Sequence, residues 1–418
     1  MKTRKNQPNA SKTNIEQKAR RLLGPHFLYY ACRKIGELGV IGEKRIRLIL
    51  LLVALTRTLL DPISVLVKGS TSSGKTTTVR DTLQLLQSDV VIMRAGLSGK
   101  ALAYGKGSLS GKILFVNEYR CGKDAQQLLR LTQSGESIHH EATTVSGRNR
   151  STQTVERTGT PVVLTTTTDD EVFADDESRF LSVWADESPE QTRAILLAQA
   201  QTKPSIDDRE LQVWRTATSL VARKPGDFST SPEWLTDVFS LLPVSRVRVR
   251  RDAKRFLSFT KAIALCRADP WRTNPLEISF QDYCVAYIIL EEVFASTLQG
   301  VPTRETEIAK AVEALHARLE RPVTTREIAR FLHAKKAVIY KHTKRAVQHR
   351  LVQYESVTRE RNVKRLMPRG TGRTSFLPTP QTVLDRHPSI GESVTYVDPF
   401  TGQEETLRRT NARSAARG

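Results

Sequence analysis

A glycine-rich stretch, GSTSSGKT, has residue types and spacing that bind a polyphosphate. Residues 69–76 fit the pattern G-x-x-x-x-G-K-[ST]. The glycines let the backbone wrap around phosphate groups, the lysine reaches the β- and γ-phosphates, and the final hydroxyl serves Mg²⁺. We therefore expect ATP and Mg²⁺ to bind here, and the predicted binding residues are Gly69, Ser70, Thr71, Ser72, Ser73, Gly74, Lys75, Thr76 and Thr77.

The elements on either side of this loop have the order that the motif requires. ISVLVK (63–68) is a short β-branched run that predicts a buried strand, and KTTTVRDTLQLLQ (75–87) predicts a helix that opens directly after the loop. In a strand–loop–helix unit the helix N-terminus and the backbone N–H groups point at the anion. The context thus favours a P-loop over a chance run of Gly and Ser.

A second buried strand supplies the polar groups that hydrolysis needs. KILFVNEYR (112–120) is apolar up to Asn117 and Glu118, which follow at its carboxyl end. Glu118 is the predicted general base for the attacking water, and Lys75 with Thr76 completes the catalytic set. Asn117 is the predicted partner of Thr76 at the metal, although an amide binds Mg²⁺ more weakly than a carboxylate does.

A third strand, PVVLTTTT (161–168), ends in threonines. A hydroxyl at the tip of a strand beside the P-loop can contact the γ-phosphate or the attacking water. Thr167 is the residue predicted to do so.

Composition limits the kind of partner. The 418 residues include 65 Lys and Arg against 44 Asp and Glu, a formal net charge of +21, so the chain attracts polyanions. Nucleic acid is the commonest polyanion, but ribosomes and membrane surfaces would attract the same charge.

The sequence predicts a cytoplasmic protein without a membrane span. No run approaches the roughly 20 apolar residues that cross a bilayer, and LILLLVALTRTLL (48–60) is instead predicted to be a buried helix. The basic N-terminus has no apolar core behind it, so it is not a secretory signal. The four cysteines lie far apart, which favours neither a zinc site nor disulfides.

The segment before the third strand predicts a basic hairpin. Residues 136–162 contain two stretches of β-branched residues on either side of a glycine turn, SGRNR. Arg148 and Arg150 lie at this turn, where they suit a nucleic-acid phosphate backbone. An ordinary solvated loop is the alternative.

The combination of motifs resembles the minichromosome-maintenance (MCM)-like AAA+ helicases of mobile elements and of primase-associated modules. Ser178-Arg179-Phe180 resembles their arginine-finger box, and the order of P-loop, acid-tipped strand, hairpin, polar strand and arginine matches. The resemblance covers roughly residues 21–300 and extends to several segments, GVIGEKR, LTRTLLDPISVLVKGSTSSGKT, GLSGKALAYG, LLRLTQSGE and ADESPEQT.

This resemblance implies a ring, expected to be a hexamer, with ATP between subunits. Arg179 would reach the nucleotide of the neighbouring subunit and stabilise charge that develops on the γ-phosphate. Arg250 or Arg251, at the start of the predicted helical lid, matches the sensor-2 arginine. Arg179 could instead form a surface salt bridge with the acidic residues 175–177.

Residues 306–368 predict a winged helix, in which three helices precede two short strands. The third helix is strongly basic, and such helices lie in DNA grooves, although winged helices also mediate protein contacts. The residues predicted to contact DNA are Lys335, Lys336, Lys341, Lys344 and Arg345.

The predicted fold class is α/β, an AAA+ P-loop ATPase core with a helical lid and a C-terminal winged helix. The predicted domains, in chain order, are a disordered basic arm (1–20), N-terminal helices (21–60), the α/β core (61–204), the lid (205–300), the winged helix (301–368) and a loose basic tail (369–418). A hairpin across Asp398-Pro399 is predicted within the tail.

The functional hypothesis is an ATP-driven ring helicase that acts on single-stranded and forked DNA in the replication of a mobile element or phage. A separately encoded primase or loader is an expected partner. Two alternatives remain at this point: an AAA+ loader or transposition regulator, and a winged-helix transcription factor with a nucleotide switch.

Overall fold

The computed structural model describes most of the chain. The described residues are 7–103, 107–119, 122–146, 149–169, 172–201, 207–223, 228, 231–244, 247–269, 275–299, 303–332, 334–348, 351–355, 365–368 and 377–410. They form two compact units: the first draws on residues 1–242, 247–290 and 377–418, and the second on 243–246 and 291–376.

The first unit is built on a five-stranded parallel sheet with an inserted antiparallel hairpin. The sheet order is β2-β3-β6-β1-β7, and β4 and β5 pair with each other in a separate two-stranded sheet. The seven strands are β1 (Val65–Lys68), β2 (Val91–Arg94), β3 (Ile113–Val116), β4 (Ile138–Ser146), β5 (Asn149–Arg157), β6 (Val162–Thr167) and β7 (Leu181–Trp184).

The three inner strands of the sheet are buried along their whole length. Helices cover both faces of a parallel sheet, so such strands read as continuous apolar runs, as VLVK and ILFV do. In the register, Lys68 lies beside Thr167 on one neighbour and Trp184 on the other. The strand ends predicted to bind nucleotide therefore meet at one edge of the sheet.

Thirteen described helices belong wholly or in part to the first unit, and α9 to α12 lie within residues 205–300, the helical region that the sequence predicted as a lid. They are α1 (Gln7–Leu22), α2 (Phe27–Glu37), α3 (Lys44–Leu55), α4 (Lys75–Leu83), α5 (Gly99–Ala103), α6 (Lys123–Gln133), α7 (Ala174–Glu177), α8 (Pro189–Gln199), α9 (Asp208–Arg223), α10 (Glu233–Ser240), α11 (Val249–Arg267), α12 (Phe280–Gln299) and, further along the chain, α16 (Pro380–Arg386).

The most apolar helix is buried within the unit. All ten residues from Ile46 to Leu55 in α3 are buried, which confirms the predicted buried helix as far as Leu55, whereas Leu60 is fully exposed. Among the described residues, no helix is both long and apolar enough to cross a bilayer.

The chain termini differ from the sequence prediction. The predicted disordered arm contains α1, which packs against α9, from Gln7 onward. The predicted loose tail contains α16, followed by the antiparallel strands β11 (Ser393–Val397) and β12 (Glu404–Arg408). The predicted hairpin is confirmed, and the prediction of a loose tail is wrong for residues 377–410, because Val383, Leu384, Tyr396 and Val397 are buried.

The second unit has the helices and small sheet of a winged helix. Its helices α13 (Thr303–Leu319), α14 (Thr325–Phe331) and α15 (Lys336–Gln348) pack on a three-stranded sheet of order β8-β10-β9. The strands are β8 (Val323–Thr324), β9 (Val352–Tyr354) and β10 (Arg365–Pro368).

A capping box starts the second helix of this unit. The Thr324 hydroxyl accepts from the Glu327 backbone N–H, and the Glu327 carboxylate accepts from the Thr324 N–H. Arg321 also binds Glu327, at 2.6 Å, and lowers the pKa of its carboxyl to about 2. The N-cap of α14 is therefore Thr324.

Candidate nucleotide-binding site

The loop between β1 and α4 has the backbone shape of a phosphate cradle. Gly74 caps the helix at φ +84°, and Gly69 leaves the strand at φ +155°. A Cβ on Gly69 would lie 2.9 Å from the Ser73 Oγ and 3.2 Å from the Ala185 Cβ. Both positions therefore need glycine, which is what the motif supplies.

Lys75 lies folded across this loop. Its Nζ donates to the Gly69 carbonyl at 2.8 Å and to the Ser73 hydroxyl at 3.2 Å. Burial lowers the pKa of Lys75, and the carboxylates of Glu187 and Glu118 oppose that effect. A phosphate entering the loop would offer this buried ammonium a full counter-charge in place of carbonyl dipoles.

The first helical turn meets the end of β3 at the predicted metal position. The Thr76 hydroxyl donates to the Asn117 Oδ1 at 2.8 Å, so the two predicted metal residues are in contact. Their oxygens suit Mg²⁺, which prefers oxygen ligands and keeps several of its waters alongside substrate phosphates. Thr76 and Asn117 are thus the residues that would hold Mg²⁺, and Glu118 follows directly at the same strand end.

The strand β6, which lies between β1 and β3 in the sheet, contacts the residues that follow β3. Thr166 donates its hydroxyl to the Asn117 carbonyl, and its own carbonyl accepts the Tyr119 N–H at 2.8 Å. Thr167 is 2% exposed, and its Oγ1 accepts the Asp169 N–H at 3.0 Å. In the register, Thr167 lies beside Lys68, the last residue of β1 before the P-loop.

A cavity of about 600 Å³ continues from the P-loop. Residues of segment 36–43 and of α8 line this cavity, and its aliphatic groups include Val40, Ile41, Ile195 and Ala198. A triphosphate bound at Lys75 would place its nucleoside in this space, which has the size of a small-molecule site.

Arg179 lies at the other end of the sheet. It precedes β7, and the first residue of that strand pairs with Val65, the first residue of β1. Its Nη1 donates to the Ser134 Oγ at 2.7 Å and to the Arg130 carbonyl at 3.2 Å, at the carboxyl end of α6. The Asp175 carboxylate is 4.0 Å away, so the salt bridge considered as an alternative is only a loose contact.

The start of α11 clamps the backbone on both sides of Arg179. Arg255 donates to the Ser178 carbonyl at 2.5 Å, and Arg248 donates to the Phe180 carbonyl at 3.4 Å. Asp252, fully buried, binds Arg255 at 2.7 Å and Arg248 at 3.2 Å. Burial lowers the pKa of Arg255 to about 10, so it remains charged at neutral pH.

The two sensor candidates are both exposed, but only one has a described contact with this region. Arg251 donates to the Ser178 hydroxyl, whereas Arg250 makes no described side-chain hydrogen bond. Arg251 also lines a cavity of about 310 Å³ with Arg179, Lys254 and Arg255. Neither sensor candidate lines the cavity beside Lys75.

The residues predicted to contact DNA lie in two places, the β4–β5 hairpin and the helix α15 with the residue before it. Arg148 lies outside the described residues, and Arg150 pairs with Val145 in the hairpin. Lys335, directly before α15, and the predicted lysines 336, 341 and 344 of α15 are exposed, whereas Arg345 is half-buried. Ile339, Thr343 and Ala346 form the buried face of the same helix, so its basic residues lie mainly on the outer face.

Several residues of the site have no local sequence signal. Glu187 accepts from the Ser70 N–H of the loop, and Glu177 binds the buried Lys68 at 2.7 Å. Arg47 donates to the Val40 carbonyl, and Gln191 donates to the Ile41 carbonyl. Each contact joins residues of different elements or loops, most of them far apart in the sequence. The spacing of residues within a motif therefore does not predict it.

The fold and the site together define a P-loop nucleotide-binding domain, and one family model agrees. Residues 19–217 match a model described as the MTBMA_p00010 P-loop domain. No curated protein matches the sequence.

Solved structures give only distant similarity. The Aeropyrum pernix Orc1 protein in complex with DNA is 16% identical over 85% of this chain and 97% of that chain, with a TM-score of 0.25. The SCCmec type IV Cch helicase is 13% identical over 66% and 56%, with a TM-score of 0.31. The NrS-1 C-terminal region is 13% identical over 77% and 70%, with a TM-score of 0.22. Scores this low add nothing to the functional argument.

Proposed function

We propose that this protein is an ATP-driven ring helicase that moves along single-stranded DNA and separates the duplex ahead of it. The P-loop, Thr76 and Asn117 bind the triphosphate and Mg²⁺, and Glu118 takes the proton of the attacking water. Bound Mg²⁺ would neutralise charge on the phosphate oxygens. Replication of a mobile element or phage is the proposed setting.

The separation of Arg179 from Lys75 is the observation that favours a ring. Lys75 follows the carboxyl end of β1, and Arg179 precedes the strand that pairs with the amino end of β1. The four residues of β1 span about 10 Å, which exceeds the reach of an arginine side chain. Arg179 therefore cannot complete its own nucleotide site, and a neighbouring copy is the natural recipient.

The surroundings of Arg179 favour the same role. Arg251, Lys254 and Arg255 line the same cavity, and Leu60 at its rim is fully exposed. A face with this many cations complements the phosphates of a nucleotide held on another subunit. The Arg248–Asp252–Arg255 clamp would keep the finger backbone in place during the exchange of nucleotide.

Hydrolysis and unwinding measured together test the proposal. Wild-type protein should hydrolyse ATP faster when single-stranded DNA is added and should displace a strand from forked DNA. Lys75→Ala should abolish both activities because it removes the charge that binds the β- and γ-phosphates. Lys18→Ala, at an exposed lysine of α1, is the matched control and should change neither activity.

The alternatives give different outcomes. Hydrolysis without strand displacement would favour a loader or transposition regulator, and the absence of DNA stimulation and displacement together would exclude the helicase. In a helicase, replacing Arg148 and Arg150 by alanine should abolish displacement and leave basal hydrolysis intact, because the hairpin contacts DNA and not ATP.

A further inference from the structure

A group of aromatic and cationic side chains lies on the outer face of α2. The rings of His26 and Tyr30 stack, with centroids 6.0 Å apart and planes at 28°, and the Tyr29 ring lies 5.5 Å from the Tyr30 ring. The Arg33 guanidinium carbon lies 5.8 Å from the centre of the Tyr29 ring, in a cation–π contact. We call these four residues the tyrosine surface, and none of them lines the cavities beside Lys75 and Arg179.

The tyrosine surface is open to solvent, although α2 is otherwise a core helix. The core side of α2 consists of the buried residues Phe27, Leu28, Ala31, Cys32, Lys34 and Ile35. Tyr30 is 41% exposed, and the Arg33 side chain is 62% exposed. The helix therefore packs into the core through one face and presents aromatic rings and a cation to solvent on the other.

The C-terminal segment supports the rings of the tyrosine surface. A Cβ on Gly402, at φ +75°, would lie 2.8 Å from the Tyr29 ring, so the turn between β11 and β12 lies directly against that ring. The Asp398 carboxylate fixes this turn by accepting the backbone N–H groups of Phe400, at 2.7 Å, and Thr401, at 2.8 Å. The orientation of Tyr29 is therefore set before any partner binds, which lowers the entropic cost of binding.

These residue types suit single-stranded nucleic acid. Bases of any sequence stack on aromatic rings and neighbouring cations bind the phosphates, whereas a duplex keeps its base faces stacked inside. Arg33 lies 4.0 Å from Glu37, and both side chains are more than half exposed, so this ion pair contributes little and a phosphate can replace the carboxylate. Arg20 and Arg21, in the last turn of α1, add positive charge shortly before α2. The surface thus combines flat rings with positive charge, which a polyanion with exposed bases requires.

We propose that the tyrosine surface is a binding site for single-stranded nucleic acid, with a base stacked on Tyr30 and a phosphate bound by Arg33. This site lies on elements other than the P-loop, the β4–β5 hairpin and the second unit. It would hold a strand at a place separate from the contacts that the helicase proposal requires. Binding here needs neither ATP hydrolysis nor strand displacement, so the two proposals can fail independently.

Photocrosslinking locates the contact. The full-length protein, without nucleotide, is irradiated with single-stranded DNA or RNA of about 12 nucleotides that contains 5-iodouracil, and is then digested with trypsin. Cleavage after Arg21 and Arg33 releases residues 22–33, a peptide that contains His26, Tyr29 and Tyr30. Both strands should attach to this peptide, and the ratio of their yields identifies the preferred one. A duplex of the same length should not attach, because its base faces are covered.

Two substitutions of Tyr30 test stacking. The oligonucleotide concentration that gives half-maximal attachment to the peptide measures the affinity of this surface alone. Tyr30→Leu keeps an apolar side chain and removes the flat ring, so it should raise that concentration by about fivefold or more, as expected for one stacked base. Tyr30→Phe keeps the ring and should behave like the wild type. Phe331→Leu is the matched control, because Phe331 of α14 is 42% exposed, and it should cause no change.

The salt dependence separates the phosphate contact from stacking. Arg33→Gln should reduce the slope of log affinity against log salt concentration by about 0.7, which is the value for one phosphate of a single strand. Tyr30→Leu should leave this slope unchanged. Basal ATP hydrolysis should equal that of the wild type in both variants, because neither residue lines the cavity beside Lys75.

Three results would overturn the inference. Absence of attachment to residues 22–33 by both strands would exclude nucleic acid and leave the surface to a protein partner. Equal affinities of Tyr30→Leu and wild type would exclude stacking, and an unchanged salt slope for Arg33→Gln would exclude the phosphate contact. If attachment and its dependence on Tyr30 and Arg33 are found in a protein that shows no strand displacement, the helicase proposal fails and this site remains.

Discussion

Asn117 determines the charge of the predicted magnesium site. Its amide oxygen accepts the Thr76 hydroxyl at 2.8 Å, where a carboxylate would add a negative charge. A neutral amide attracts Mg²⁺ less than a carboxylate does, because hard cations prefer charged oxygen ligands. The two predicted metal residues are therefore in contact, and Asn117 adds no negative charge to them.

Replacing this amide by a carboxylate should strengthen metal binding. Asn117→Asp is expected to lower the Mg²⁺ concentration for half-maximal hydrolysis by about tenfold, which corresponds to roughly 1.4 kcal/mol. A Mg²⁺ titration of the ATPase rate measures the change. Asn14→Asp, at an exposed asparagine of α1, adds the same charge elsewhere and should leave the requirement unchanged. An unaltered titration for Asn117→Asp would show that this residue does not serve the metal.

At the scale of elements, the residue before α3 is hydrogen-bonded to the connection between β7 and α8. The Glu43 Oε1 accepts the Asp186 backbone N–H at 2.7 Å, and Glu43 lines the nucleotide cavity. Burial raises the pKa of the Glu43 carboxyl from 4.5 to about 7, and the nearby Asp186 carboxylate acts in the same direction. Folding thus disfavours the ionised form of this carboxyl.

This shift predicts a pH-dependent stability difference. The stability that protonated Glu43 contributes is fully present below pH 4.5 and is lost as the pH rises through about 7. Glu43→Gln cannot ionise, so its melting temperature relative to wild type should increase between about pH 5 and pH 8.5. Thermal unfolding at both pH values measures this difference. Glu190→Gln, at an exposed carboxylate of α8, should show a constant difference, and the same result for Glu43→Gln would contradict the prediction.

The side-chain hydrogen bonds to the carbonyls on both sides of Arg179 come from residues at the start of α11. A single helix, α11, binds carbonyls before and after the arginine through Arg255 and Arg248, and buried Asp252 holds both guanidinium groups. Removing one partner of a buried ion pair leaves the others without a counter-charge. The clamp therefore links the position of the backbone around Arg179 to the position of α11.

At the scale of the whole molecule, the nucleotide loop and Arg179 lie at opposite ends of one sheet. In the proposed ring, a head-to-tail arrangement of copies would bring these two surfaces together, because heterologous contacts form a ring when the rotation between copies closes. Each interface would then contain one Lys75 and the Arg179 of its neighbour. Inactive variants of the two residues should complement each other.

Subunit mixing measures this complementation. Lys75→Ala and Arg179→Ala should each be inactive in hydrolysis, and an equal mixture should regain activity at about a quarter of its interfaces if subunits exchange randomly. A double variant mixed with Lys75→Ala has no intact interface and is the control. If the first mixture shows no more activity than the control, the arginine does not act between subunits.

The C-terminal segment returns to the first unit after the winged helix. The Tyr283 hydroxyl donates to the Pro378 carbonyl at 2.5 Å, and the Arg45 guanidinium lies 5.6 Å from the centre of the Phe400 ring. A Cβ on Gly402 would lie 2.8 Å from the Tyr29 ring. This segment contains many Gly, Pro and Thr residues, and the sequence therefore predicted a loose tail. Its few apolar side chains nevertheless pack against helices from the other end of the chain.

Prediction from the sequence succeeded where the signal is local. The strands at 65–68, 113–116 and 162–167, the hairpin and the three helices of the second unit follow from apolar runs, turn residues and caps, all within short windows. The phosphate-binding loop at residues 69–76 is also predicted from a local signal. Contacts such as Gln191 with Ile41 join residues 150 positions apart, and no local pattern records them.

The sequence by itself determined that a phosphate-binding loop exists, because eight consecutive residues contain both the backbone freedom and the charge that the loop needs. Only the tertiary structure decided that Lys75 and Arg179 face different ends of the sheet, since strand pairing sets that separation. It also decided that Arg47 and Gln191 bind the carbonyls of Val40 and Ile41, because hydrogen bonding between distant helices depends on how the whole chain packs.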